Sequence, residues 1–309
     1  SDHGSLIAAD RGVTGISRPP ALCHGFSLHD PEPTNPMPAA ACRLALPVAL
    51  ILTPLSALAQ PAMPVSGVVQ QQPAEKPAHA AWTCLLKKYV QPGTDGVNRV
   101  DYAAFKDNAE DRATLDSYIA SFAEMDLSGT DAATFAAWAN LYNAVTVRYI
   151  LEKYPTGSIR DGYLFGGPWK KIKVNAGGQT VSLDEIEHGI LRPRFATPLV
   201  HYAINCAALS CPNLQTRAWQ GATLDEDLAA AARAYINDPR GVTPTPRGLR
   251  VSSIYDWFES DFGGSKQAVI DHLLKYAEPS LAEEIRTNPR IRAYDYDWSL
   301  NDSQKAGTE

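Results

Sequence analysis

Asp131-Ala-Ala-Thr-Phe135-Ala-Ala-Trp138-Ala-Asn140-Leu141-Tyr142-Asn143-Ala-Val145-Thr-Val-Arg-Tyr149-Ile150 is the stretch on which the fold of this chain turns. Phe135, Trp138, Leu141, Tyr142, Val145, Tyr149 and Ile150 recur at helical spacing and make one broad apolar face. Thr130 or Asp131 supplies an N-cap, and the helix ends before Pro155 with Gly157 close behind. Upstream, a helix is expected over 112–125, with Leu115, Tyr118, Ile119 and Phe122 at the same spacing. A short amphipathic helix is expected over 84–90, stopped at Pro92-Gly93, followed by an extended segment at 97–102.

Downstream, the chain turns repeatedly at Gly162, Gly166-Gly167-Pro168 and Gly177-Gly178. Segments 171–174 and 179–182 flank Asn175-Ala-Gly-Gly and read as a β-hairpin. Ser182-Leu-Asp-Glu185 is a capping box opening a helix that runs to Leu191, where Pro193 stops it. The apolar run 199–204 reads as a buried strand leading into Asn205-Cys206. Helices are expected over 224–237, 253–262 and 266–277, a short strand at 249–251 and a terminal strand at 290–298. These elements predict an α+β fold: a helix-rich single domain around a small, mainly antiparallel sheet.

The ends read differently. The first methionine, Met37, is followed by Arg43, an apolar run over 44–55 and Ala57-Leu-Ala59, the three parts of a cleavable secretory signal over 37–59. The apolar run falls short of the roughly 20 residues of a membrane span, and Pro47 and Pro54 interrupt it. Residues 1–36 are then upstream of the true start, 60–80 a Pro-rich linker, 81–302 the domain and 303–309 a disordered tail. The expected protein is periplasmic or secreted, with no integral membrane segment after cleavage. Lys and Arg number 28 against 34 Asp and Glu, a net charge of -6 without a basic stripe, which argues against nucleic acid as a partner. No nucleotide-binding glycine loop, C-x-x-C or metalloprotease motif is present, and no cofactor is called for. Of five cysteines, Cys23 and Cys42 precede the domain, leaving Cys84, Cys206 and Cys211. An odd count leaves at least one thiol without an internal partner.

Two groups of polar residues exceed what packing asks for. Asn140 and Asn143 sit three apart in the apolar helix, where an unpaired amide is costly to bury. Tying that helix to neighbouring loop backbone is one reading of both. The second group spans the 27 positions from Glu185 to Cys211, with Glu187, His188, Arg192, His201 and Cys206 between them. Cysteine catalysis needs a thiolate, an imidazole that takes and returns its proton, and a group orienting the imidazole. Cys206 is then the nucleophile, His201 or His188 the base and Glu187 the orienting group, with Asn140 or Asn205 as an oxyanion donor. Glu187 and His188, adjacent on a helix, point about 100° apart and cannot easily bond to each other. Two other readings stay open: a Cys206–Cys211 disulfide with satisfied core histidines, and a Cys/His metal site.

Asp101-Tyr102, Trp138-Ala-Asn-Leu-Tyr-Asn-Ala144, Ser158-Ile-Arg-Asp161, Leu183-Asp-Glu-Ile-Glu-His-Gly-Ile-Leu-Arg192, Val200-His-Tyr-Ala-Ile-Asn-Cys206, Ser210-Cys-Pro212 and Tyr296-Asp-Trp-Ser-Leu-Asn-Asp302 occur in this order. Together they resemble the domain-of-unknown-function 547 family of exported bacterial proteins and plant proteins, from about residue 85 to 298. Plant members often carry Ser in place of Cys211, which implies that Cys206 is the chemical candidate and Cys211 an accessory. The family has no established activity. By analogy alone, the resemblance implies a papain-like or transglutaminase-like arrangement in permuted order. That suggests a cysteine-dependent amide hydrolase or acyltransferase acting on peptide or cell-wall peptide. The alternative is a non-catalytic envelope binding module whose polar residues are internal scaffolding.

Overall fold

The computed structural model describes residues 79–305. The expected secretory signal, the residues before it and nearly all of the linker lie outside the described residues. Helix α1 (Ala80–Tyr89) leads through strands β1 (Val90–Pro92) and β2 (Asn98–Val100) to α2 (Tyr102–Asp107), α3 (Ala109–Ala120) and α4 (Ala132–Lys153). The last is the helix read first in the sequence. Asp131 caps it, its carboxylate accepting from the Thr134 N–H at 2.7 Å. Its apolar face is wider than the large residues alone indicate, because Ala136, Ala139 and Ala144 are also fully buried. Elements on several sides, α2 and α3 among them, pack against it.

A hairpin follows: β3 (Lys173–Ala176) and β4 (Gln179–Ser182). Gly177 and Gly178 have φ of 59° and 75°, the two positive values that a tight two-residue hairpin turn demands. A π-helical segment, Glu185–Leu191, continues into α5 (Arg192–Phe195), and α6 (Val200–Ala203) follows. Then come α7 (Leu224–Ile236), which also packs on α4, strands β5 (Val242–Thr245) and β6 (Gly248–Ser252), α8 (Ile254–Trp257), α9 (Lys266–Tyr276), α10 (Pro279–Thr287) and β7 (Ile291–Asp295).

The α+β class holds, with one difference in detail. In place of one sheet there are, among the described residues, three small ones, β1–β2, β3–β4 and β5–β6–β7. All pairs are antiparallel except β6–β7. Ladders of two or three short strands cannot organise a core of this size, so the helices do. Among the described residues, no helix is long and apolar enough to cross a membrane.

Three local expectations are corrected. Residues 200–203 form a helical turn rather than a strand, with i to i−3 bonds such as Tyr202 N–H to Leu199 O. A short apolar run suits either state, and here no strand lies beside it. Pro193 does not stop its helix. The π-helical widening shifts hydrogen bonding to more distant carbonyls, which accommodates a residue lacking an N–H, and the helical path ends instead at Ala196, φ 46°. The helix expected over 253–262 shrinks to α8, followed by turns and by Gly263 and Gly264 at positive φ. The C-terminal segment then closes the molecule. Tyr102 donates to Asn301 and Tyr154 to Asp302, both at 2.8 Å, and Leu300 N–H reaches Gly157 O.

Candidate functional site

A cleft of about 210 Å³ opens where the π-helical segment, the loop after α6, α8 and the C-terminal segment meet. Glu187, His188, His201, Cys206 and Cys211 all line it, with Tyr296 and the indoles of Trp169, Trp257 and Trp298. The sequence-level cluster therefore converges in space. Asn140 is not among its lining residues.

The π-helical segment presents Glu187 and His188 in different directions. Its start is the expected capping box: Ser182 Oγ accepts from Glu185 N–H at 3.2 Å, and Glu185 accepts from Ser182 N–H at 2.7 Å. Glu187 is turned inward, 8% exposed, and accepts a hydrogen bond of 3.1 Å from the Tyr142 hydroxyl. Burial pushes its carboxyl up to about 7. His188 faces outward, where Arg192 donates to its Nδ1 at 3.0 Å. Because arginine has no acceptor, the His188 ring proton resides on Nε2.

His201 is oriented by Asp261, and the expected role of Glu187 is corrected accordingly. The His201 Nε2 lies 2.8 Å from Asp261 Oδ2. Arg192 grips the same carboxylate with Nε at 2.6 Å and a terminal nitrogen at 2.9 Å. The His201 and Arg192 donors hold the Asp261 carboxyl well below the usual range. An ionised carboxylate only accepts, so the His201 proton sits on Nε2 and the lone pair of the neutral ring on Nδ1. Burial lowers the His201 pKa against the pull of Asp261, keeping the ring neutral at pH 7. Phe258 stacks on the imidazole at 4.1 Å between centroids and fixes its plane.

Cys206 and Cys211 are joined as a disulfide, so the expected free nucleophile is not present in this state. Ala207, at φ 60°, turns the chain between them. The Tyr296 hydroxyl lies 3.1 Å from each sulfur, and Cys206 N–H donates to Cys211 Sγ at 3.0 Å. Burial raises the Tyr296 pKa well above its ordinary value, so the hydroxyl keeps its proton and donates.

The asparagines are scaffolding. Asn140 donates to Trp219 O at 2.9 Å and accepts from Trp219 N–H at 3.0 Å, and it does not line the cleft where an oxyanion would form. Asn143 donates to Ala203 O at 2.9 Å and accepts from Asn205 N–H at 2.8 Å. Its amide thus serves the 203–205 backbone as a neighbouring strand would. Asn205 reaches Pro212 O and Ala207 N–H, closing the cysteine loop on itself.

Asp261 and Tyr296 were missed in the sequence. Asp261 reads there as one more polar residue of Phe258-Glu-Ser-Asp-Phe262, and Tyr296 as one position of an alternating strand. Tyr296 does lie in a block that carries the family resemblance, and that was the available signal. Among the described residues, no three His, Cys, Asp or Glu side chains are grouped so as to hold a metal ion.

Residues 127–236 match the family model described as a protein of unknown function, DUF547. The resemblance seen in the sequence is thereby borne out over this segment. No curated protein and no solved structure gives a match. The DUF547 segment runs from just before α4 to the end of α7, and so contains Glu187, His188, His201, Cys206 and Cys211. Asp261 and Tyr296 come from beyond it.

Proposed function

We propose that the cleft is the active site of a cysteine-dependent amide hydrolase or acyltransferase whose Cys206–Cys211 bridge is the resting state. The supporting observation is the His201 imidazole, oriented by an Arg192-clamped Asp261 in the wall that also holds Cys206. Once the bridge is reduced, His201 Nδ1 takes the Cys206 proton and the thiolate attacks the substrate carbonyl. The imidazolium, stabilised by Asp261, returns the proton to the leaving amine. Water or a second amine then releases the acyl group from Cys206. Tyr296 supplies a hydrogen-bond donor beside the sulfur, and Glu187 is an acid able to exchange a proton near neutral pH. A peptide amide, including cell-wall peptide, is the proposed substrate, and export to an oxidising compartment suits a bridged resting state.

The bridge itself favours the other reading, a non-catalytic binding module, and thiol chemistry separates the two. In Cys211→Ser protein, the iodoacetamide alkylation rate of Cys206 is expected to titrate below the ordinary thiol pKa of about 8.5. Adding His201→Ala or Asp261→Asn is expected to slow alkylation at pH 7 by about tenfold, the scale of one pKa unit. An ordinary thiol titration that neither substitution changes overturns the enzyme reading.

A further inference from the structure

We infer that the Cys206–Cys211 bridge is a working disulfide, opened by a dithiol donor that enters the cleft and attacks Cys206 Sγ. The inference shares with the hydrolase reading the cleft, the opening bridge and Cys206 as the reacting atom, but it does not need His201 as a base. A bridge that merely staples a loop has no need of a cleft, yet both cysteines line this one. The two sulfurs are also unequal. Cys206 is partly exposed, whereas Cys211 is 3% exposed. Cys211 Sγ has two donors near it, the Cys206 N–H and the Tyr296 hydroxyl, while Cys206 Sγ has the hydroxyl alone.

Those differences assign the roles. Attack is directed to the sulfur of the more exposed residue, and the better leaving group is the sulfur whose developing negative charge meets two hydrogen-bond donors. The donor thiolate therefore bonds to Cys206 Sγ, the Cys206–Cys211 bond breaks, and Cys211 departs as a thiolate held by its two donors. The donor's second thiol then attacks the donor sulfur of this mixed disulfide and expels the Cys206 thiolate. Two electrons pass from the donor, which becomes a disulfide, to the protein, which becomes a dithiol. The two protons lost by the donor end on Cys206 and Cys211. The buried carboxyl of Glu187 lies in the same cleft and can carry one of them.

The test uses the folded chain and dithiothreitol, with reduced thioredoxin as a second donor at equal dithiol concentration. Dithiothreitol is expected to open the bridge at least as fast in the folded protein as in guanidinium-unfolded protein, and Tyr296→Phe to slow opening several-fold without moving the melting temperature. A higher rate with thioredoxin assigns a protein donor, and equal rates assign a small dithiol. With an aromatic disulfide reagent, Cys211→Ser protein is expected to accumulate a mixed disulfide on Cys206 faster than Cys206→Ser protein does on Cys211. Melting curves of each variant report folding independently. Opening only at the rate of global unfolding, or faster trapping on Cys211, overturns the inference. Rapid exchange with an ordinary Cys206 titration removes the hydrolase reading and keeps this one, and the reverse pattern removes only this one.

Discussion

Asn143→Ala is expected to lower the unfolding free energy by about 3 kcal/mol, because it strips partners from buried backbone and opens a small void. Asn143 is 3% exposed, and its amide is divided between Ala203 O and Asn205 N–H. The carbonyl keeps a second donor, the Trp219 indole N–H at 2.9 Å, so it is not orphaned. The larger share of the loss falls on the Asn205 N–H, which has no water to turn to at 4% exposure of its residue. Leaving one buried donor unpaired costs about 1–3 kcal/mol, and the void adds to this. Asn143→Asp is a useful companion, since a carboxylate can still accept from Asn205 N–H but cannot donate to Ala203 O. Urea unfolding midpoints with unchanged m-values measure both variants. A loss below about 1 kcal/mol for Asn143→Ala means that the 203–205 backbone finds other partners. Because Asn205 leads directly into Cys206, the same variant is expected to loosen the cysteine loop and speed alkylation at both sulfurs after reduction.

Glu187→Gln is expected to stabilise the protein at pH 8.5 by about 2–3 kcal/mol and to leave it nearly unchanged at pH 4. Burial raises this carboxyl from 4.5 in the unfolded chain to about 7 in the folded one. Between those values the folded state holds a proton that the unfolded state has released, so stability falls as pH rises from 4.5 to 7. Above 7 the full penalty is present, since the folded protein then buries a charge. A shift of about 2.5 units corresponds to roughly 3 kcal/mol at 1.36 kcal/mol per unit. Glutamine keeps an oxygen for the Tyr142 hydroxyl but adds an amide N–H₂ that needs a partner, which trims the gain. His188 and His201 act oppositely: their lowered folded pKa values remove stability as pH falls through 6.5. The informative quantity is therefore the wild type minus Glu187→Gln difference from urea melts across pH 4–9, in which the histidine contributions cancel. A difference flat with pH would mean that the Glu187 carboxyl titrates at the same pH in the folded and unfolded states.

These predictions separate what was legible in the chain from what was not. Helix α4, its Asp131 cap, the Gly177-Gly178 hairpin and the Ser182/Glu185 capping box all follow from residues within a few positions of one another. Their signals are spacing and local backbone chemistry, which survive without a tertiary partner. The identity of the cleft residues Glu187, His188, His201 and Cys206 was also legible, because polar residues crowd there against an apolar background. Their roles were not. His201 finds Asp261 across 60 positions, and the sulfurs find Tyr296 across 90 and 85.

Chain order and apolar periodicity by themselves determined a helix-rich α+β domain and one dense patch of titratable and sulfur-bearing groups, while ordered motif blocks carried the family resemblance. Only the tertiary structure decided that Asp261 rather than Glu187 orients His201, that Asn140 and Asn143 serve backbone, and that Cys206 is bridged. The physical reason is that a hydrogen bond or disulfide acts over about 3 Å of space and carries no trace in sequence separation. Side chains far apart in the chain can be assigned to one another only after packing has set the distances between them.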